Sequence, residues 1–145
     1  MKIIAFDLGA TMGFATNHNN SCGHKIFKGV RVERFCQIKR WLTELYWEPY
    51  SVVIYETPLG RGQDATRSLW GIAGILEAIV TENNLPVLNI AVPTVKKFVT
   101  GNGQASKEDM IKAAKKRGFP VKNEHEADAV GLLQYAIANL EKLND

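Results

Sequence analysis

The sequence predicts an α/β fold built on a mixed five-stranded sheet, an antiparallel meander plus parallel strands, flanked by helices. Three observations carry this. Short runs rich in β-branched and aromatic residues at 2–7 (KIIAFD), 51–56 (SVVIYE) and 87–92 (VLNIAV) have the length and composition of buried strands. Two of them close on a carboxylate, Asp7 and Glu56. Elsewhere apolar residues recur every three or four positions, the spacing of amphipathic helices.

In chain order, GFATN and HKIFKG follow the first run and are joined through the polar stretch Asn17 to Gly23, so the first three strands form a meander. Gly9 and Gly13 punctuate the turn that opens it. Phe35, Ile38, Trp41, Leu42 and Leu45 line one side of a helix over 32–47, which Pro49 stops. A second helix starts near Asp64, as N-cap, and reaches Glu82 with Leu69, Ile72, Ala73, Leu76, Ile79 and Val80 on one side. A third starts at Ser106, whose partner three residues on is Asp109, and ends before Gly118 and Pro120. The last runs from Asn123 to Leu143, with Asn123 as N-cap and Glu126 in the capping-box position. The order is three strands, helix, strand, helix, strand and two helices. Strands reached through helical crossovers are parallel, and the meander forms the antiparallel edge.

With 145 residues, 46% of them hydrophobic, the chain suits a single domain over 1–145 with one buried core. The longest apolar stretches, 72–80 and 129–140, are interrupted by Glu77 and Gln134 and are too short to span a bilayer. MKIIAFDLGA carries an acid at position 7 and lacks the basic-then-apolar layout of a secretion signal, so a cytoplasmic location is expected. Cys22 and Cys36 form no C-x-x-C pair and suggest reduced, structural thiols. The net charge of +3 is unevenly spread: residues 96–122 carry eight Lys/Arg against two Asp/Glu, whereas 123–145 carry five acids against one Lys. A basic block beside an acidic helix suits a polyanion held over a cation site; a solvated lysine-rich helix face is the plain alternative.

Asp7 and Glu56 stand at strand ends, the first followed by Gly9 where the backbone lets a phosphate approach, the second by Pro58, which forbids further pairing. Like charges brought together there repel unless a cation lies between them. The last helix adds Asp128; at about 100° per residue, His125 and Glu124 share its face and Glu126 points away. Ala129, Leu132, Leu133, Ala136, Ile137 and Leu140 would dock this helix on the sheet and bring Asp128 toward both strand ends. Such an oxygen-rich set suits Mg²⁺ or Mn²⁺, with room for two ions about 4 Å apart in phosphodiester hydrolysis. Glu124 and Glu126 could instead serve the helix N-terminal dipole, the role assigned to Glu126.

The strand-end Asp7-Leu8-Gly9, the strand-end Glu56, Asn84-Leu85-Pro86-Val87, the run from Val95 to Lys107 with its G-x-G-x-A-x-K stretch, and His125-x-x-Asp128-Ala129 resemble, in that order, the motifs of RuvC-type Holliday junction resolvases. The resemblance implies an RNase H-like fold and a homodimer that cuts four-way DNA junctions with Mg²⁺. It assigns Asp7, Glu56, His125 and Asp128 to catalysis and metal binding, with Lys96 and Lys107 near the scissile strand. Leu59 falls where the family often places an aromatic that stacks in the junction core; an apolar wedge can also part base pairs. His125 stands where a fourth carboxylate is usual, and Glu124 remains an alternative ligand. The chain is short for the family and looks like a compact, phage-type member.

Three other readings compete. A related nuclease acting on flaps, replication forks or RNA–DNA hybrids would use the same site. An actin-like kinase or ATPase shares the Asp-x-Gly strand, but needs a duplicated domain. A non-catalytic DNA-binding module is disfavoured because uncompensated carboxylates repel phosphate. A two-fold protein supplies the two cuts that a symmetric junction needs, and the helix from Asp64 to Glu82, with Trp70, Gly71 and Gly74, is the candidate dimer surface, although its apolar stripe also suits the core.

Overall fold

A computed structural model describes residues 1–59 and 62–143. The strands are β1 (Ile3–Asp7), β2 (Thr11–Thr16), β3 (Ser21–Ile26), β4 (Val52–Glu56) and β5 (Val87–Ile90). The helices are α1 (Arg31–Glu44), α2 (Gln63–Glu82), α3 (Val92–Thr100), α4 (Lys107–Lys116) and α5 (Glu124–Leu143). The sheet order is β3-β2-β1-β4-β5, antiparallel through β1, β2 and β3 and parallel from β1 through β4 to β5. The expected mixed sheet is therefore present, with the meander on one edge.

Strand alternation divides the core in two. Ile3, Ala5, Val52 and Ile54 face a cluster that includes Val95, Met110, Ala129, Leu132 and Leu133 from α3, α4 and α5. Ile4, Phe6, Val53 and Tyr55 face the other way, onto Ile38 and Leu42 of α1 and Ile72, Leu76 and Val80 of α2. The same period carries Asp7 and Glu56 to the α5 side. The parallel register pairs Phe6 with Tyr55, so the two carboxylates that follow stand on neighbouring strands.

Local chemistry corrects several expected boundaries. α1 ends at Glu44, before Pro49 acts, because the Leu45 amide turns back to the Leu42 carbonyl and the Trp47 indole Nε1–H caps that same carbonyl at 2.9 Å. α2 has Gly62, not Asp64, at its N-cap, and Asp64 lies within its first turn. β3 begins at Ser21 inside the presumed linker, and Gly13 lies within β2, not in a turn. α3 was not anticipated: its β-branched residues Val92, Thr94, Val95 and Val99 mask the helical signals of Pro93 in its first turn and the left-handed cap at Gly101. The Ser106–Asp109 capping box forms as expected. At α5, Asn123 Oδ1 accepts from the Glu126 amide at 3.0 Å, but the Glu126 carboxylate takes the Lys122 amide instead of closing a capping box on Asn123.

The apolar stripe of α2 is core. Gly71 serves contact within the chain: a Cβ there would lie 2.5 Å from the Phe35 ring of α1. Trp70, 45% exposed, and Gly74 remain on the outer side. Among the described residues, no helix is long and apolar enough to cross a membrane.

Candidate active site at the carboxyl ends of β1 and β4

The residues that the sequence assigns to catalysis, metal binding and DNA contact, with Glu124, border one cavity of about 540 Å³: Asp7, Glu56, Leu59, Lys96, Lys107, Glu124, His125 and Asp128. Asp7 and Glu56 reach it from the ends of β1 and β4, and Leu59, 58% exposed, lies just beyond Glu56. Lys96 comes from α3, and Lys107 is the first residue of α4, set there by the capping box behind it.

The first turn of α5 sits unusually close to the sheet. A Cβ on Gly13 would meet the His125 carbonyl oxygen at 2.0 Å, so only glycine leaves room for the helix backbone over β2. Gly13 is the register partner of Asp7, which puts the tightest approach beside the strand-end carboxylate. Its role was missed because a glycine in sequence reads first as a turn. Arg34 of α1, which also borders the cavity, carried no sequence signal beyond lying on a polar helix side.

Within the cavity, His125 Nδ1 lies 2.9 Å from Asp7 Oδ2, and its Nε2 is 3.5 Å from Glu124 Oε1. Glu124 Oε2 also meets Lys107 Nζ at 2.8 Å. The hydrogen bond that His125 donates to Asp7 raises the His125 pKa against the opposing effect of burial. Asp128 is pushed up from 3.8 to about 7, chiefly by burial and then by the Asp7 charge, with Lys96 partly offsetting both. Glu124 and His125 thus both share the Asp128 face, as helical spacing requires, while Glu126 is directed away.

Among the described residues, no three His, Cys, Asp or Glu side chains are gathered tightly enough to hold an ion between them. The donor chemistry nevertheless fits a hard divalent cation: carboxylates from two strands and one helix border a single cavity, and one of them, Asp128, is driven toward protonation by burial and then by the Asp7 charge.

No family model matches the chain. The crossover junction endodeoxyribonuclease RuvC of Gluconobacter oxydans (strain 621H) is 32% identical over 108 residues, 73% of this chain and 64% of that protein. The chain thus spans less than two thirds of the length of this relative. The structure of Thermus thermophilus RuvC superimposes with a TM-score of 0.78 at 18% identity, covering 98% of this chain and 96% of that one. The same protein in complex with a Holliday junction substrate gives 0.76 at 17% identity, with 98% and 96% covered. The chain is thus similar to RuvC in sequence over the matched stretch and shares its RNase H-like fold over nearly the whole length.

Proposed function

We propose that this chain is a metal-dependent, structure-selective endodeoxyribonuclease that hydrolyses phosphodiester bonds at four-way or branched DNA junctions. The observation that carries the reading is the meeting of Asp7, Glu56 and Asp128 in one cavity flanked by Lys96 and Lys107. Repelling carboxylates inside a basic rim are explained by a cation between them and a phosphate above. The RuvC relative and the RuvC–junction complex supply the substrate class.

Asp7, Glu56, Asp128 and His125 would hold Mg²⁺ or Mn²⁺, with Glu124 bordering the same space. Two such ions bound there would supply Lewis acidity for activating water and stabilising the leaving 3′ oxygen. Lys96 draws the scissile phosphate toward Asp128 by charge, and Lys107, held to Glu124, does so more weakly. Asp7 fixes the imidazole of His125 through Nδ1, which turns Nε2 toward Glu124. His125, held in place by Asp7, would present its imidazole to the cation beside the carboxylates. Leu59, exposed at the cavity mouth, acts as an apolar wedge against the junction's central base pairs.

The enzyme works as a homodimer, because a symmetric junction needs two equivalent cuts. The outer side of α2, with Trp70 and Gly74, is the proposed contact; Gly71 is excluded by its role beneath Phe35. Sedimentation should show a dimer on junction DNA, and a monomer both free and bound would refute it.

The test of function is a substrate panel: a synthetic four-way junction, a flap, plain duplex and an RNA–DNA hybrid, each with Mg²⁺, Mn²⁺ or EDTA. Symmetric cutting of the junction in preference to the others supports the reading. Preferential cutting of the flap or the hybrid would assign the same site to a different nucleic acid.

A further inference from the structure

On the side of α5 that faces away from the cavity lies a second histidine–carboxylate pair. Glu126 is 2% exposed. Its Oε2 accepts from His24 Nδ1–H at 2.5 Å, and its Oε1 accepts from the Lys122 amide at 3.2 Å and from the Cys22 thiol at 3.6 Å. Burial, followed by the Glu126 charge, pushes the Cys22 thiol up to about 11, so it remains an S–H donor. Burying a carboxylate is costly unless it is hydrogen-bonded, and here two side chains and a backbone amide reach both of its oxygens.

The location is informative. His24 and Cys22 belong to β3, the outermost strand on the meander edge, and Glu126 belongs to the first turn of α5 between His125 and Asp128. A helix is a rigid body over one turn, so a tether on Glu126 sets both how far the turn sits from the sheet and how it is rotated about its axis. Gly13 defines the approach from below by removing a side chain under the His125 carbonyl. The tether to β3 defines the rotation. The Asn123 cap on the Glu126 amide completes the fixation of this turn.

We propose that His24 and Glu126 are positioning residues for the candidate active site, holding the first turn of α5 so that His125 and Asp128 enter the cavity. Neither touches the reacting atoms. Its kinetic consequence rests on the nuclease reading, but its structural consequence does not.

The test centres on His24, which is partly exposed and whose replacement spares the core. Two variants are compared with the wild-type chain: His24→Ala, which removes the donor, and His24→Asn, whose side-chain amide nitrogen stands near the place of imidazole Nδ1. His24→Ala should speed amide hydrogen exchange at 127–130 about tenfold without altering exchange in α2, and should lower kcat for junction cleavage about tenfold with KM unchanged. Outer-shell changes typically cost 10–100-fold. His24→Asn should restore most of both. Wild-type exchange in the α5 turn of His24→Ala would overturn the proposal, as would uniform acceleration throughout the protein, or a His24→Asn variant no better than His24→Ala. If the wild-type chain cuts no DNA, the nuclease reading fails, while the exchange data still decide this one.

Discussion

The first turn of α5 carries a histidine–carboxylate pair on each side, and the two differ in what surrounds them. In His24–Glu126, at 2.5 Å, both oxygens of a buried carboxylate are hydrogen-bonded, with a thiol and a backbone amide beside the imidazole. His125–Asp7, at 2.9 Å, opens on a cavity that also receives Glu56, Glu124 and Asp128. There burial, followed by the Asp7 charge, raises the proton affinity of Asp128, although Lys96 and His125 act against it. The contrast shows that a buried acid alone does not mark a site. Several acids bordering one open space do.

The largest effects should come from removing charge on the crowded side. Asp7→Asn or Glu56→Gln should abolish junction cleavage, by more than the 10–100-fold typical of outer-shell changes, while DNA binding and folding survive. Near-normal turnover by both variants in Mg²⁺ would break the distinction between the two pairs.

Next comes Gly13→Ala, which forces a methyl group against the His125 carbonyl and lifts the turn that both pairs share. Overpacking of this kind costs about 1–3 kcal/mol, so a lowered Tm should accompany at least a tenfold loss of kcat. Unchanged activity would mean that the close approach of α5 to β2 does not matter for the site.

The crowded side should also show itself through pH. Asp128 has its folded pKa raised from 3.8 to about 7, so its stabilising contribution is complete below about pH 4 and is lost as pH rises to neutrality. His125, raised by Asp7, moves stability in the same direction above its ordinary range. The metal-free protein should therefore melt at a lower temperature at pH 8 than at pH 5.5, and Mg²⁺ should restore more at pH 8. Asp128→Asn should raise the metal-free Tm at pH 8 by roughly 2–5 °C, the shift that about 1 kcal/mol produces in a domain of this size. A flat metal-free profile would contradict the raised proton affinity of Asp128.

The smallest effect concerns the rim. Lys96→Ala should weaken junction binding and reduce the log–log salt slope by about one unit, the contribution of a single phosphate contact. Lys107→Ala should do less, because Glu124 already pairs with it at 2.8 Å. Unchanged slopes in both would make these ordinary surface lysines.

Much of the crowded side was legible in the sequence because its signals are local. A strand that ends in Asp7 or Glu56 announces a carboxylate at a sheet edge, and helical spacing alone separates Glu124, His125 and Asp128 from Glu126. The satisfied side was not legible. Glu126 lies more than 100 positions from both His24 and Cys22, so its capping-box spacing suggested a local role that Lys122 and β3 overturn. Gly13 was likewise misjudged, because its reason for being glycine is the distant His125 carbonyl. α3 was missed where β-branched residues outweighed its proline and glycine caps. The fold itself survived these errors because strand composition and alternation are read within a few residues, whereas what seats a helix on a sheet is not.

The most direct test is cleavage of a synthetic four-way junction by the wild-type chain beside Asp128→Asn, in Mg²⁺ and in EDTA. Wild-type protein with Mg²⁺ should convert the junction into paired nicked duplexes, and neither the EDTA reaction nor the variant should do so. Undiminished cutting in EDTA, or by Asp128→Asn in Mg²⁺, would show that the crowded carboxylates are not the seat of metal-dependent hydrolysis.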